Sequence, residues 1–249
     1  MSSLPPPLNP LPTLDLQLAT HGYAVLDAAS LALLADSPLP ALLAWAGCWD
    51  DLPLDGYLRD GGRYRQRRHS CFIVTGDAVQ PVPHRAHWQP LDYNALHGGL
   101  QRWFEPMHAA IVNDPAWASL LVGLARRAST LRGQAGPWYV EAHPFRIDTS
   151  DGIGRPTPEG AHRDGVDLVA VILVGRQGIK GGETRVFDAH GPQGLRFTLT
   201  EPWSALLLDD ARVVHESTPI QPLVADGKGH RDTLVLTLRL GGFQGPLSE

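Results

Sequence analysis

The sequence contains few cysteines, few methionines and no long apolar run. Only two of its 249 residues are cysteines, Cys48 and Cys71, which excludes a disulfide framework and a cysteine-rich zinc ribbon. We therefore expect a reducing, cytoplasmic location. No segment approaches the ~20 consecutive apolar residues of a membrane span, so no membrane contact is predicted. The start of the chain lacks the basic and apolar regions of a secretory signal, so none is predicted either.

A strong charge of either sign is also missing. The formal net charge is −5, which predicts neither a nucleic-acid surface nor attraction to an anionic membrane. A hydrophobic share of 43% and a charged share of 19% indicate an ordinary globular protein. Eleven histidines stand against two methionines, and histidine is the commonest metal ligand in proteins.

Proline sets the predicted organisation of the chain. The opening "MSSLPPPLNPLPTLDL" contains a proline run that cannot form a helix. We therefore predict a flexible arm over residues 1–16 and a single domain over residues 17–249. The sequence has no internal repeat and no glycine-serine linker that would indicate a further division.

Helices are predicted in the first half of the chain. Asp114-Pro115 precedes a run of apolar residues at helical spacing that ends at Gly133, which predicts a helix between them. A second helix is expected to be capped by Ser37 and to end at Gly47. The residues 93–112 are expected to form a third helix.

After Gly136 the pattern changes to short strands. Glycine, proline and aspartate separate runs that are typical of strands. These runs are "WYVEAHPFRID", "DLVAVILV", "ETRVFD", "RFTLTEPW", "SALLLDD", "ARVVHE" and "DTLVLTLRL". Helices followed by many short strands predict helices packed on a β-sandwich or jelly roll, and not alternating βαβ units.

The last run has two different faces. One face is mostly leucine, which suits packing against a layer of helices. The other face is half polar and begins with Arg231 and Thr233. Such a face lines a cavity or faces solvent, and the alternation alone does not separate the two.

Three residues have the types and the order of a metal site. His162 and Asp164 lie two residues apart ahead of an apolar strand, so their side chains share one face and Arg163 points away. His215 lies on a later predicted strand. Two histidines and one carboxylate leave three positions open on an octahedral iron(II) ion. Arg231 is suited to pair with a carboxylate through two parallel hydrogen bonds.

Several stretches of the chain resemble one enzyme family. They are "HRDGVDLVAVILV", "GGETRVFD", "LLLDDARVVHESTPIQP" and "RDTLVLTLRL", with "LPLDGYLRDGGRYRQRRHSCF", "YNALHGGLQRWFEP" and "WYVEAHPFRI" upstream. These segments are similar to those of the iron(II)/2-oxoglutarate-dependent dioxygenases. Within that family they resemble the bacterial enzymes that hydroxylate free amino acids, such as isoleucine 4-hydroxylase, and their biofilm- and stress-associated relatives. The resemblance covers the chain from His21 onward.

The resemblance implies both a fold and a cofactor set. The implied fold is mainly β (α+β), a double-stranded β-helix or cupin-like jelly roll braced by N-terminal helices. The implied Fe(II) ligands are His162, Asp164 and His215. Arg231 would bind the distal carboxylate of the cosubstrate 2-oxoglutarate, with Thr233 assisting. O2 is the other cosubstrate, succinate and CO2 are released, and the intact Asp164 favours hydroxylation or sulfoxidation over halogenation.

The implied substrate is a small molecule, namely an aliphatic or sulfur-containing free L-amino acid. Glu141 or His143 is the candidate partner of its ammonium group, and Arg146 is the candidate partner of its carboxylate. A structural role is the alternative for each. Two other functions stay open at this point: a non-catalytic, cupin-like metal- or ligand-binding protein, and a zinc hydrolase. A homodimer is compatible with the sequence.

The remaining polar clusters receive structural interpretations. Arg63, Arg65 and Arg67 alternate, and we favour a solvated or subunit-contact face over one that draws anions into a pocket. Asp209-Asp210 is expected to form a turn that orients His215. Seven histidines without a nameable ligand partner are interpreted as surface or hydrogen-bonded residues: His69, His84, His87, His97, His108, His190 and His230.

Overall fold

Helices occupy much of the first half of the chain, as expected. The computed structural model describes residues 4–94, 96 and 98–246, and in these it contains five α-helices: α1 Leu14–His21, α2 Ala28–Leu34, α3 Leu39–Leu43, α4 Ala109–Val112 and α5 Pro115–Arg132. The predicted long helix is confirmed as α5. The Asp114 side chain caps it by accepting the Ala116 N–H, and Gly133 ends it in the left-handed conformation.

Strands dominate the second half. Over the same described residues they are β1 Tyr23–Leu26, β2 Arg65–Arg67, β3 Ser70–Thr75, β4 Ala78–Pro81, β5 Trp138–Asp148, β6 Leu168–Gln177, β7 Ile179–Gly181, β8 Thr184–Asp188, β9 Gly194–Phe197, β10 Ala205–Asp209, β11 Val213–Ser217, β12 Ile220–Pro222 and β13 His230–Arg239. Each strand-like run named above contains or overlaps one of them.

The strands form two layers of antiparallel sheet. The large sheet has the order β1-β10-β6-β13-β5-β3-β4, and β2 pairs with β5 beside it. The second layer consists of the sheet β11-β8-β9 and the pair β12-β7. This mainly antiparallel core with a few helices confirms the predicted jelly-roll class.

The two faces of the large sheet are buried in different cores. One face packs on the helices, where Leu234, Leu236 and Leu238 of β13 are fully buried with Trp117 and Leu121 of α5. This confirms the predicted role of the leucine face. Burying one such leucine side chain contributes about 1.5–3 kcal/mol, so this interface holds the helices on the sheet.

A second, smaller core joins the large sheet to the second layer. It contains Val169 of β6 and Leu206 of β10 from one side, with Val186 of β8 and Phe197 of β9 from the other. The smaller core fills only one end of the space between the layers, because polar residues of β5 and β13 line the other end.

Two helix predictions are wrong or misplaced. The described residues of 93–108 form turns and an extended bridge, and only Ala109–Val112 is helical. Pro106 breaks the predicted helix, and Gly99 adopts a left-handed φ of 73°. Helix α3 starts after Pro38 and not at Ser37, whose hydroxyl donates to the Ala35 carbonyl.

The predicted boundary between arm and domain falls inside a helix. Residue 16 lies in α1, which buries Leu14 and Leu18 in the main core. Upstream of α1, the Asn9 side chain accepts the N–H of Val25, and the Asn9 N–H donates to the Val25 carbonyl. The described part of the proline-rich segment is therefore bonded to β1 and packed against the domain. Residues 1–3 and 247–249 of the two predicted ranges lie outside the described residues.

In the described part of the chain, no single helix is long and apolar enough to cross a membrane. One sharply bent pair, Ala28–Leu34 with Leu39–Trp49, passes by length and composition only.

Gly123→Ala is expected to destabilise the protein because α5 contacts α2 at this glycine. A Cβ at position 123 would lie far inside van der Waals contact with the Leu34 carbonyl oxygen. Glycine-to-alanine changes within helices otherwise stabilise by about 1 kcal/mol. Here we expect a loss of roughly 1–3 kcal/mol in the free energy of unfolding, measured by urea denaturation.

Gly47→Ala is the matched control for this change. A Cβ at Gly47 meets no atom within 4 Å, so its free energy of unfolding should stay at or slightly above that of the wild type. A stabilised Gly123→Ala variant would contradict the close approach of α5 to α2.

Candidate active site

A polar cavity opens between the two sheet layers. Alternate residues of two paired strands line it: Tyr139, Glu141, His143, Phe145 and Ile147 on β5, and Arg231, Thr233, Val235, Thr237 and Arg239 on β13. The register places these residues opposite one another, with Thr237 across from Glu141 and Arg231 across from Ile147. The half-polar face of β13 therefore lines a cavity and does not face bulk solvent.

His162, Asp164 and His215 come together at one wall of this cavity. His162 and His215 form an isolated antiparallel bridge, in which each backbone N–H donates to the other's carbonyl at 3.0 and 2.9 Å. The Asp164 carboxylate lies 3.8 Å from Nε2 of His162 and 3.9 Å from Nε2 of His215. Each of the three side chains offers one candidate ligand atom, and these three atoms lie within 4.8 Å of one another.

Hydrogen bonds hold His162 and Asp164 in place. The His162 Nδ1 donates to the Gly160 carbonyl at 3.0 Å, which leaves Nε2 free as a ligand atom. The backbone N–H groups of Asp164, Gly165 and Val166 all donate to the Asp210 carboxylate at 2.7–3.0 Å. Asp210 therefore positions Asp164, which corrects the expectation that Asp209-Asp210 orients His215.

The environment shifts the pKa values of these three residues in different directions. Burial, and then the neighbouring His162, hold the pKa of His215 well below its ordinary value. Burial raises the pKa of Asp164, whereas His162 and Gln89 oppose that rise. Burial also disfavours charge on His162, but the carboxylates of Asp164 and Glu159 outweigh it and raise its pKa. A bound cation would relieve the desolvated Asp164 carboxylate.

Arg231 is buried and has no anionic partner. Its side chain is 4% exposed, its Nε has no hydrogen-bond partner, and no carboxylate of the described residues lies within 4.0 Å of it. Burial and the nearby Arg176 lower its pKa to about 10, so it stays charged at neutral pH. Thr233 lies on the same face, and its carbonyl accepts the Trp49 indole N–H.

Four buried residues form a second group in the cavity wall. Glu141 lies among His69, His87 and His143, with its Oε2 2.6 Å from His87 Nδ1 and 3.7 Å from Nε2 of each of the other two. Burial holds the pKa of His87 at about 3. Burial would raise the pKa of Glu141, but the surrounding imidazoles hold it well below its usual value, so it is an ionised acceptor.

Basic groups surround the Glu141 carboxylate: three imidazoles lie near Oε2, and the Arg85 guanidinium lies 3.6 Å from Oε1. The Arg67 guanidinium donates to His143 Nδ1 at 2.6 Å, so the proton of His143 is on Nε2 and points toward Glu141. Such an arrangement favours a hydrogen-bonded anion over a second metal site. The interpretation of His69 and His87 as hydrogen-bonded residues is consistent with these contacts. His97 lies outside the described residues.

Several other predicted residues take different positions. Arg146 is absent from the cavity lining, because its guanidinium binds Asp232 at 2.8 Å and Asp50 at 3.0 Å on the opposite face. Its predicted role as a carboxylate partner is therefore wrong. Arg65 and Arg67 are buried in the cavity lining, and only Arg63 is exposed, so the solvated-face prediction fails for two of the three arginines.

Arg102 and Gln89 are among the cavity residues that the sequence analysis did not single out. Arg102 is 2% exposed and donates to Oε1 of the Gln89 side chain at 2.9 Å, and Gln89 Nε2 donates to Asp164 Oδ1 at 3.2 Å. Arg102 lies in the range 93–112 that was predicted as a helix, whereas its backbone forms an antiparallel bridge with His87. Gln89 lies in a segment for which no element was predicted. The spacing of His87 and Gln89, two residues apart like His162 and Asp164, was the available signal.

Comparison with known proteins decides the family. The model of the family described as 2OG-Fe dioxygenase matches residues 46–237. The chain belongs to this family. It is therefore a 2OG-Fe dioxygenase, an enzyme whose family uses Fe(II), 2-oxoglutarate and O2. Membership supports an enzyme over the non-catalytic alternative.

Solved structures agree with this assignment. A bsmA homolog from Methylobium petroleophilum PM1 is 55% identical, with a TM-score of 0.91 and 96% of each chain covered. IDO from Bacillus thuringiensis is 16% identical, with a TM-score of 0.74 over 93% of this chain and 100% of the other. The Fe(II)/α-ketoglutarate-dependent dioxygenase TqaL is 17% identical, with a TM-score of 0.70 over 96% and 90%. The last two show the fold alone. A search of the curated proteins finds no match.

The cavity of this 2OG-Fe dioxygenase fits the cofactors of its family. The imidazoles of His162 and His215 converge with the Asp164 carboxylate. Two histidines and one carboxylate can bind Fe(II) and leave coordination positions open for other ligands. Arg231 lines the same cavity, its Nε is buried without a hydrogen-bond partner, and a guanidinium is suited to bind a carboxylate.

Asp210→Asn is expected to weaken metal binding without contacting the metal. Asparagine replaces one of the two oxygens that accept N–H groups around Asp164, so the loop loses support. Loss of such a supporting residue typically costs 10- to 100-fold in metal affinity, roughly the effect expected here in an anaerobic Fe(II) titration. Asp188→Asn, at an exposed turn where the side chain accepts the His190 N–H, is the control. Unchanged affinity in Asp210→Asn would contradict the positioning role.

Acid is expected to destabilise the protein through the imidazoles around Glu141. The pKa of His87 is about 3, and burial lowers those of His69 and His143. Unfolded histidine titrates near pH 6.5, so the unfolded chain binds more protons between about pH 3 and pH 6.5. The free energy of unfolding therefore falls as the pH drops below about 6.5, by up to about 1.4 kcal/mol per pH unit for each histidine.

Urea denaturation between neutral pH and about pH 5 measures this dependence. His87→Asn removes one buried imidazole and should flatten the slope. His190→Asn changes an exposed histidine and should leave the slope as in the wild type. Equal slopes for His87→Asn and the wild type would argue against a buried, neutral His87.

Proposed function

We propose that the protein hydroxylates, or sulfoxidises, a small free L-amino acid with an aliphatic or sulfur-containing side chain. The family supplies the reaction class, and the resemblance of the segments around His162, His215 and Arg231 supplies the substrate class. The observation that carries the proposal is the convergence of His162, Asp164 and His215 on the cavity that also holds the unpaired Arg231.

In this proposal, His162, Asp164 and His215 hold the iron. When bound, iron(II) and 2-oxoglutarate activate O2 to oxidise a substrate bond, and succinate and CO2 are released. The two histidines present neutral Nε2 atoms, and the Gly160 carbonyl fixes the tautomer of His162. The His162–His215 backbone bridge holds these two residues side by side, with their imidazoles at a ring-centroid distance of 4.6 Å.

Arg231 binds the distal carboxylate of 2-oxoglutarate in this proposal. A buried guanidinium without a carboxylate is costly, and a bidentate pair relieves that cost. The Thr233 hydroxyl, on the same strand face, is available as a second donor. The intact Asp164 keeps the third protein ligand, which favours hydroxylation over halogenation.

Glu141 is the proposed acceptor for the substrate ammonium group, and His143 lies beside it. Glu141 is ionised and lines the cavity, and its Oε1 accepts no hydrogen bond, although the Arg85 guanidinium lies 3.6 Å away. A cytoplasmic location, a homodimer and a single functional domain over 17–249 remain part of the proposal. The free thiols of Cys48 and Cys71 are consistent with the first of these.

Anaerobic addition of Fe(II) and 2-oxoglutarate is expected to give a visible charge-transfer band. His162→Ala should abolish the band, because it removes a metal ligand. Arg231→Gln should weaken 2-oxoglutarate binding by about 100-fold or more, because the cosubstrate carboxylate loses its partner. His190→Ala, an exposed histidine, should keep the wild-type band. A well-folded wild-type protein without the band would contradict the proposed chemistry.

A panel of free amino acids, scored for succinate release by mass spectrometry, tests the substrate class. We expect turnover among the aliphatic and sulfur-containing members. A protein that gives the band but turns over none of the panel would contradict the amino acid assignment and leave the reaction class intact.

A further inference from the structure

Four arginines are buried in the cavity wall, and they differ in their partners. Arg65 binds the Asp55 carboxylate at 2.7 Å, and Arg67 lies 4.0 Å from the same group. Arg67 also lies between two aromatic rings and donates to His143. Among the residues that the structure describes, Arg102 and Arg231 have no carboxylate within 4.0 Å. The cavity therefore carries two buried cations that lack an anion.

Arg102 is held in place but not neutralised. Its backbone pairs with that of His87 through hydrogen bonds of 2.9 and 3.0 Å, and its guanidinium donates to the Gln89 side chain. Its Nε is buried without a hydrogen-bond partner. A buried guanidinium that donates only to a neutral amide is costly, and an anionic ligand removes that cost.

Arg102 and Arg231 lie in different surroundings. The charged residues that act on Arg231 are Arg176 and Asp232. Arg102 instead interacts with Arg65, Asp55, Glu159 and Glu141. Gln89 accepts from Arg102 and donates to Asp164, so Arg102 lies on the side of the cavity that holds His162 and Asp164. One small dicarboxylate on Arg231 therefore leaves the charge of Arg102 unmatched.

We propose that Arg102 binds the carboxylate of the substrate. This inference rests on the proposed function, in which Arg231 takes the cosubstrate. It replaces Arg146, which the fold places in an ion pair away from the cavity. The Gln89 amide joins Arg102 to the Asp164 carboxylate through bonds of 2.9 and 3.2 Å, so a carboxylate on Arg102 lies one amide group away from the metal ligands.

The substrate class follows from two opposite charges in the same cavity. Arg102 has no carboxylate within 4.0 Å among the described residues, and Glu141 is an ionised carboxylate in the cavity lining whose Oε1 accepts no hydrogen bond and lies 3.6 Å from Arg85. A ligand that satisfies both carries a carboxylate and an ammonium group together, as a free α-amino acid does. An amino acid amide lacks the negative charge that would pair with Arg102, so we expect it to bind more weakly than the free acid.

The test compares two arginine variants by binding. Wild type, Arg102→Gln, Arg231→Gln and the exposed-arginine control Arg196→Gln are loaded anaerobically with Fe(II) and 2-oxoglutarate, and the visible band gives the cosubstrate affinity. L-leucine, L-isoleucine and L-methionine, and their primary amides, are then titrated by calorimetry. In Arg102→Gln we expect amino acid affinity to fall roughly 10- to 100-fold, while 2-oxoglutarate affinity stays within about twofold. Arg231→Gln should show the reverse, and the amides should bind wild type as weakly as the acids bind Arg102→Gln.

The band itself reports whether Arg102→Gln is folded, and Arg102→Lys provides a second variant that keeps the positive charge. Arg102→Lys should bind the amino acids with intermediate affinity, because it retains the charge but not the planar fork. Unchanged amino acid affinity in Arg102→Gln, or loss of 2-oxoglutarate binding there with its retention in Arg231→Gln, would overturn the inference. Amino acid binding that depends on Arg102 in a wild type without the band would support the inference and contradict the proposed chemistry.

Discussion

The site depends on the position of β13 between β5 and β6. Because it is hydrogen-bonded on both sides, β13 cannot shift without breaking both ladders. Its leucine face is held by the helices, and that leaves Arg231, Thr233 and their neighbours facing the second layer. The polar face of β5 is in register with it, so the two strands provide one continuous wall of the cavity. Arg231 is buried for this reason, and its burial makes it an effective partner for a carboxylate.

The second wall depends on a short backbone contact. The bridge between His162 and His215 joins the loop before β6 to strand β11 and brings together residues 53 positions apart in the chain. Asp210 then shapes the loop from the other side by accepting three consecutive N–H groups. The backbone of all three candidate ligands is therefore held by hydrogen bonds, and the His162 imidazole and the Asp164 carboxylate are further held by Gly160 and Gln89.

The local pattern predicted the strands well and the irregular segment poorly. β5 matches its predicted run residue for residue, and the two faces of β13 have the predicted roles, because alternation in a strand directly reports which side is buried. The family resemblance named the ligand residues before any geometry was known. The segment from His84 to Met107 has no regular period, so apart from the two-residue spacing of His87 and Gln89 nothing in it indicated that Arg102 lines the cavity. The role of Arg146 was predicted wrongly for a related reason. The alternation of β5 placed its side chain on the other face of the strand from Glu141, but it did not reveal that Asp232 lies beside it.

The sequence by itself determined the fold class, the long helix α5, the strand faces and the three residues that form the ligand set. These features depend on local propensity, on the period of two in strands and on short motifs, all of which are written along the chain. Only the tertiary structure decided which charges remain unpaired. Arg65, Arg67, Arg102, Arg146 and Arg231 are alike in sequence, but Asp55 and Asp232 neutralise some of them and leave Arg102 and Arg231 buried without an anion. Pairing depends on distances between residues far apart in the chain, and no local pattern encodes those distances.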